Sequence, residues 1–250
     1  MKFPDEKNKT NNKNVHFNSL QNFFELIKNN FYTLVKLNFL YSLSYLPIIL
    51  LLLLISEKHA PLPLKLLLIF MCVIPLGPTT IGMFKIIFDL LMRKPVFLFS
   101  DFLDAVRQNW REGLILCTLD FSIAVIISIE LPFFFNMMLG DAFGIILLIF
   151  SILFSLTVFF SNCYLLVMIP ALDTSFLNKI KNAFLVSMLG TLNNIFILFC
   201  TSLIFTVIIL LFPLSLIFYS LFIPVLLGST IMLSTWPLIK KWCIPPEVHD

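Results

Sequence analysis

The sequence predicts an all-α fold, a polytopic bundle of about six transmembrane helices with short amphipathic helices on the cytoplasmic side. Three observations predict it. Of its 250 residues 59% are hydrophobic and only 12% charged, against roughly 45–50% and 25% in an ordinary soluble domain. The mean hydropathy is +0.99, which makes lipid the expected solvent. The apolar residues also lie in uniform runs: residues 48–55 and 204–212 are apolar or nearly so on every side. A membrane β-barrel would need segments of about ten residues that alternate apolar and polar, so the barrel is excluded.

Taken in order, residues 1–19 are rich in Lys and Asn. They lack an apolar core followed by a small-residue cleavage site, so they read as a disordered polar tail rather than a signal peptide, with the first span as the insertion signal. A helix needs about 20 apolar residues to cross the hydrocarbon core, which places spans near 31–56, 64–92, 113–135 and 143–170. Residues 182–239 hold no charged side chain over 58 positions. That is too long for one crossing and suits two, near 190–212 and 214–237, with Pro213 at the turn. Residues 20–239 thus form one transmembrane domain, followed by a tail over 240–250.

Positive residues near span ends are retained on the cytoplasmic side. Lys2, Lys7, Lys9, Lys13 and Lys28 precede span one; Arg93, Lys94, Arg107 and Arg111 follow span two. Lys179 and Lys181 follow span four, and Lys240 and Lys241 follow span six, whereas the opposite side has only Lys58 and Lys65. An even number of crossings satisfies this bias and predicts that both termini are cytoplasmic.

Residues 24–31 (FELIKNNF), 103–110 (LDAVRQNW) and 177–184 (LNKIKNAF) align, with offsets of 79 and 74 residues. Each places apolar residues at i, i+3 and i+7, one helix face, and a basic residue at the fifth position facing away. The simplest organisation is three units, each an amphipathic helix in the membrane interface followed by an outward and an inward crossing. Internal duplication and convergent amphipathicity both account for so short a match.

Lipid makes the remaining polar groups conspicuous. Span two contains Pro75, Gly77 and Pro78, followed by Thr79 and Thr80. Carbonyls freed by proline at membrane depth need a partner; such breaks either line substrate sites or are packed kinks. Lys85, Asp89 and Arg93 are spaced for an i, i+4, i+8 charge ladder. Lys36 can snorkel, whereas Asn38, Asn162, Asn193 and Asn194 are expected to hydrogen-bond across helices. Asp120 is the one acid well inside a span and the candidate for ion coupling; a shallow carboxylate can instead reach Arg107 or Arg111. Glu130 is expected near the outer surface. Gly77, Pro78, Thr79, Asp120 and Asn38 are therefore the candidate midplane or ion-coupling residues, and Arg107, Trp110 and Arg111 the candidate docking or lipid-facing ones.

Cys72, Cys117, Cys163, Cys200 and Cys243 form no CxxC pair, and His16, His59 and His249 are scattered. No metal site, catalytic residue or cofactor is suggested. Nucleophile-elbow, phosphate-loop and HExxH motifs are absent, so an enzyme is not expected. The basic residues suit the anionic lipid bilayer rather than nucleic acid, and nothing in the sequence sets an oligomeric state.

The stretch 75–84 (PLGPTTIGMF), continuing through Arg93, Phe97 and 100–110 (SDFLDAVRQNW), resembles the YesL-like bacterial membrane proteins, the family labelled domain of unknown function 624. Leu37-Asn38-Phe39 and Leu46-Pro47 resemble its first span, and the resemblance covers residues 20–125. Thr79 and Thr80 depart from it, standing where small Ala is frequent. The resemblance implies a multipass protein of a Gram-positive cell membrane, associated with carbohydrate uptake and with ABC-type transporter subunits as partners. A non-enzymatic component of such a system and a small transporter or channel are the two functions to weigh.

Overall fold

The computed structural model describes residues 19–45, 47, 61–211 and 222–244. Outside them lie most of the expected N-terminal tail, the three histidines, Lys58, the end of span one, the turn at Pro213, the start of the last expected span and most of the C-terminal tail. Nine α-helices carry the described chain: α1 (Ser19–Ser42), α2 (Leu62–Val73), α3 (Leu76–Leu91), α4 (Leu98–Gln108), α5 (Trp110–Met138), α6 (Ala142–Ala171), α7 (Phe176–Leu189), α8 (Thr191–Leu210) and α9 (Ile223–Cys243). A 3₁₀ turn at Leu43–Tyr45 follows α1, and no strand occurs among the described residues. Five stretches among the described residues are long and apolar enough to cross a membrane: Leu64–Leu91, Trp110–Met138, Ala142–Ala171, Thr191–Leu210 and Ile223–Cys243.

Helix, break, helix is a pattern that recurs three times among the described residues. In α1 the backbone leaves helical geometry at Asn30 (φ −122°, ψ 18°). Between α4 and α5 Asn109 does the same (φ −107°, ψ 14°), and between α7 and α8 so does Gly190 (φ −94°, ψ 35°). Asn30 and Asn109 use the same device: each side-chain amide donates to the carbonyl four residues back, Leu26 at 3.1 Å and Ala105 at 2.9 Å. At Ala105 the side chain adds to the Asn109 amide, which also donates to that carbonyl at 3.1 Å, so the last turn before the break is held twice. In the third unit the break falls at Gly190, further along than the aligned Ala183, because α7 both starts later relative to the alignment and runs 14 residues where α4 runs 11.

The helices that close the three units, α3, α6 and α9, contact one another and form the core. Each short helix packs on the closing helix before it: α4 on α3, α7 on α6, and α1 on α9. The core side chains include Leu37, Ile81, Phe84, Ile87, Tyr164, Met168, Met232 and Ile239, all fully or almost fully buried. The face that packs inward on the short helices lies one residue ahead of the aligned apolar face. Phe23, Phe102 and Phe176 pack against the core at the same aligned position, and three residues on come Leu26, Ala105 and Lys179, all buried. Phe24, Phe31, Trp110, Leu177 and Phe184, on the face expected from the sequence, are exposed. Ile27, Leu103, Val106 and Ile180 of the same aligned face are half-buried against the core, so the covered side of each short helix spans both positions and the outer edge is left for the membrane.

Candidate functional site

Span two is broken where the prolines predict, between α2 and α3. The threonine hydroxyls beside the break turn back on their own helix. Thr79 donates to Pro75 O (2.8 Å), which also takes the Thr79 amide (3.3 Å), and Thr80 donates to Leu76 O (2.6 Å). Tyr41 OH joins Thr80 at 2.8 Å from α1. Gly77 and Pro78 are buried against Gly113 of α5, so closely that a Cβ on Gly113 would lie 2.6 Å from Pro78 N. Gly77, Pro78 and Thr79 thus sit at a close helix crossing, where the small residues let two backbones touch.

The asparagines serve similar needs. Asn38 is fully buried, and its Oδ1 accepts from Val225 N at 3.0 Å. That amide lies in the first turn of α9, where backbone donors have no helical acceptor. Asn194 donates to Ser187 O (2.7 Å) in the last turn of α7, and Asn193 to Ser234 O of α9. Both close the break at Gly190 and tie it to neighbouring helices.

Two charged features remain. The first joins α5, α6 and α7: Lys179, 4% exposed, donates to Glu112 Oε2 (2.9 Å) and Oε1 (3.2 Å) and to Ile169 O (3.2 Å). Glu112 occupies the first turn of α5 and Ile169 the last turn of α6. The ammonium therefore lies beside carbonyls at a helix C-terminus and the carboxylate at a helix N-terminus, both favoured by the helix dipoles. The sequence places Lys179 with the basic residues of the cytoplasmic connection after span four and does not predict this pair. A signal was present, since Lys179 aligns with Leu26 and Ala105, both inward-facing.

The second is Asp120, ten residues along α5 from Trp110, or about 15 Å of helix. Asn162 Nδ2 of α6 donates to its Oδ2 at 2.9 Å, while Asn162 Oδ1 is buried with no partner. The pair lies at one end of an open groove of about 220 Å³ between α5 and α6, lined also by Ile127, Ser155 and Phe159. Arg107 and Arg111 do not reach it. Arg107 approaches Asp104 at 3.8 Å, and Arg111 stacks over exposed Trp110 at 5.4 Å. Further along the hairpin, Ser151 donates to Glu130 at 3.5 Å.

The expected charge ladder on α3 is corrected at one member. Lys85 pairs with Asp89 (3.0 Å), but the second partner of Asp89 is Lys94 (3.4 Å), not Arg93. The helix ends at Leu91 and Arg93 turns to φ 54°, so it leaves the i+4 position and meets Glu25 of α1 at 3.3 Å instead.

Helices of this length and apolarity, polar groups engaged between helices and broad exposed apolar faces together define a polytopic helical membrane protein. Residues 34–131, running from α1 through most of α5, match the family model described as "Protein of unknown function, DUF624". No curated protein and no solved structure gives a significant match.

Proposed function

We propose that this protein is a non-enzymatic component of the cell membrane that works beside a carbohydrate or other solute uptake system, with ABC-type transporter subunits as its partners. The observation that supports this best is the closed break in span two. Its Thr79 and Thr80 hydroxyls turn back to Pro75 O and Leu76 O, Cys117 Sγ of α5 meets Val73 O, and Gly77 and Pro78 lie against Gly113, as expected of a helix joint rather than a solute path. The setting is the one that the resemblance of residues 75–110 to YesL-like proteins implies. In this reading both termini are cytoplasmic and Arg107, Trp110 and Arg111 meet anionic headgroups at the membrane surface.

The test is purification of the tagged protein from native membranes in mild detergent after brief crosslinking. Permease or solute-binding subunits should accompany it in repeatable proportion; recovery of the chain alone each time would refute the reading.

Asp120 favours a second reading, a small transporter or channel in which this carboxylate couples an ion. It requires solute flux into proteoliposomes that Asp120→Asn abolishes. Flux unchanged by that substitution would remove Asp120 from any such mechanism.

A further inference from the structure

We propose that the groove between α5 and α6 seats one transmembrane helix of a partner, and that this helix carries a lysine or arginine within its span. The inference rests on the accessory reading above and names the contact that reading needs. Asp120, Ala124 and Ile127 line one wall at i, i+4 and i+7, and Ser155, Phe159 and Asn162 line the other at the same spacing. The two helices are antiparallel neighbours, because Asp120 meets Asn162 while Glu130 meets Ser151. Two parallel ridges at helical spacing form the trough into which a third helix packs, and the small Ala124 and Ser155 allow close approach. All six residues belong to stretches that can cross a membrane, so the occupant shares the bilayer.

Charge selects the occupant. The groove offers the Asp120 carboxylate, an acceptor whose Oδ2 takes the Asn162 amide; Asn162 Oδ1 is unpartnered but buried. Among the described residues no basic side chain pairs with Asp120; Arg107, Arg111 and Lys179 are engaged with Asp104, Trp110 and Glu112. A lipid tail donates nothing to an acceptor at this depth, whereas an ammonium or guanidinium on a packed helix supplies the donors the groove lacks. A space of about 220 Å³ holds one long side chain.

The probe is a synthetic Leu-rich transmembrane peptide of about 20 residues with one central Lys, compared with the same peptide carrying Leu there. Association with the labelled full-length protein is read by energy transfer in phosphatidylcholine vesicles. The Lys peptide should bind about tenfold more tightly. That preference should vanish in Asp120→Asn and also in Ala124→Phe, which fills the trough and leaves the carboxylate in place. Equal binding of the two peptides, or a preference that survives both substitutions, overturns the proposal. So does energy transfer between two copies of the protein that Asp120→Asn abolishes, since the groove would then be a self-contact. Co-purifying uptake subunits with no Lys preference would sink the groove and leave the accessory reading standing; the reverse pattern would sink the accessory reading alone.

Discussion

The last helix, α9, and the α5–α6 hairpin are both apolar enough to cross a membrane, yet they keep opposite company. Within its most apolar window α9 is 61% buried, whereas the windows of α5 and α6 are each 11% buried. The order of apolarity is the reverse: α6 has the highest hydropathy of the five candidate spans and α9 the lowest. In α9, Gly228, Ser229, Ser234 and Thr235 are buried, with the Ser229 and Thr235 hydroxyls returned to their own helix at 2.7 and 2.9 Å. Phe143, Ile146, Phe150 and Leu153 of α6 are exposed. In lipid, apolarity is no guide to burial, because tails solvate Leu and Phe as well as protein does. Small and weakly polar residues mark the faces where helices meet.

The comparison breaks most readily at the glycine crossing. Gly113→Leu forces side-chain atoms into the Pro78 backbone and should cost more than about 4 kcal/mol, the range reached only by gross packing failure. The expected result is loss of a folded peak in detergent gel filtration. Phe150→Leu on the exposed hairpin should move the unfolding midpoint within the error of about 0.5 kcal/mol typical of uncommitted surface positions.

The buried ion pair comes next. Lys179→Met leaves Glu112 without its partner and should cost about 3–5 kcal/mol, with Glu112→Leu similar, because the remaining charge is uncompensated. The double variant should cost less than either single one, and thermal unfolding of all three in the same detergent decides this. Simple additivity would mean the pair is solvated in the folded protein.

A smaller effect is expected at the third break. A Cβ on Gly190 collides with the Tyr164 hydroxyl, which is itself buried without a partner. Gly190→Ala should cost roughly 1–3 kcal/mol, Tyr164→Phe alone should be near neutral, and the two together should recover most of the loss. A cycle showing no coupling would place the strain elsewhere.

Much of the architecture was legible because lipid imposes few solutions. Apolar runs marked the helices, prolines marked the break in span two, and intramembrane asparagines announced contacts between helices. Asn38 and Asn194 make such contacts, and the structure adds that both serve helix termini. Less legible was anything that depends on which helices become neighbours. Lys179 reads in the sequence as one more basic residue at the cytoplasmic surface, whereas α5 and α6 surround it, and the inward side of the short helices takes in the position before the apolar stripe as well as part of that stripe. Asp120 stood out in the sequence, but its partner did not: Asn162 is 42 residues away on the facing helix.

The molecule is held together around α3, α6 and α9, and in the proposed reading it meets its neighbours through the α5–α6 hairpin. Photo-crosslinking in native membranes from a reactive residue placed at position 124 in the groove, with position 87 in the core as the control, tests this. Adducts from position 124 to a transmembrane segment of an uptake-system permease and only intrachain adducts from position 87 are expected. Lipid or intrachain adducts alone from position 124 would contradict it.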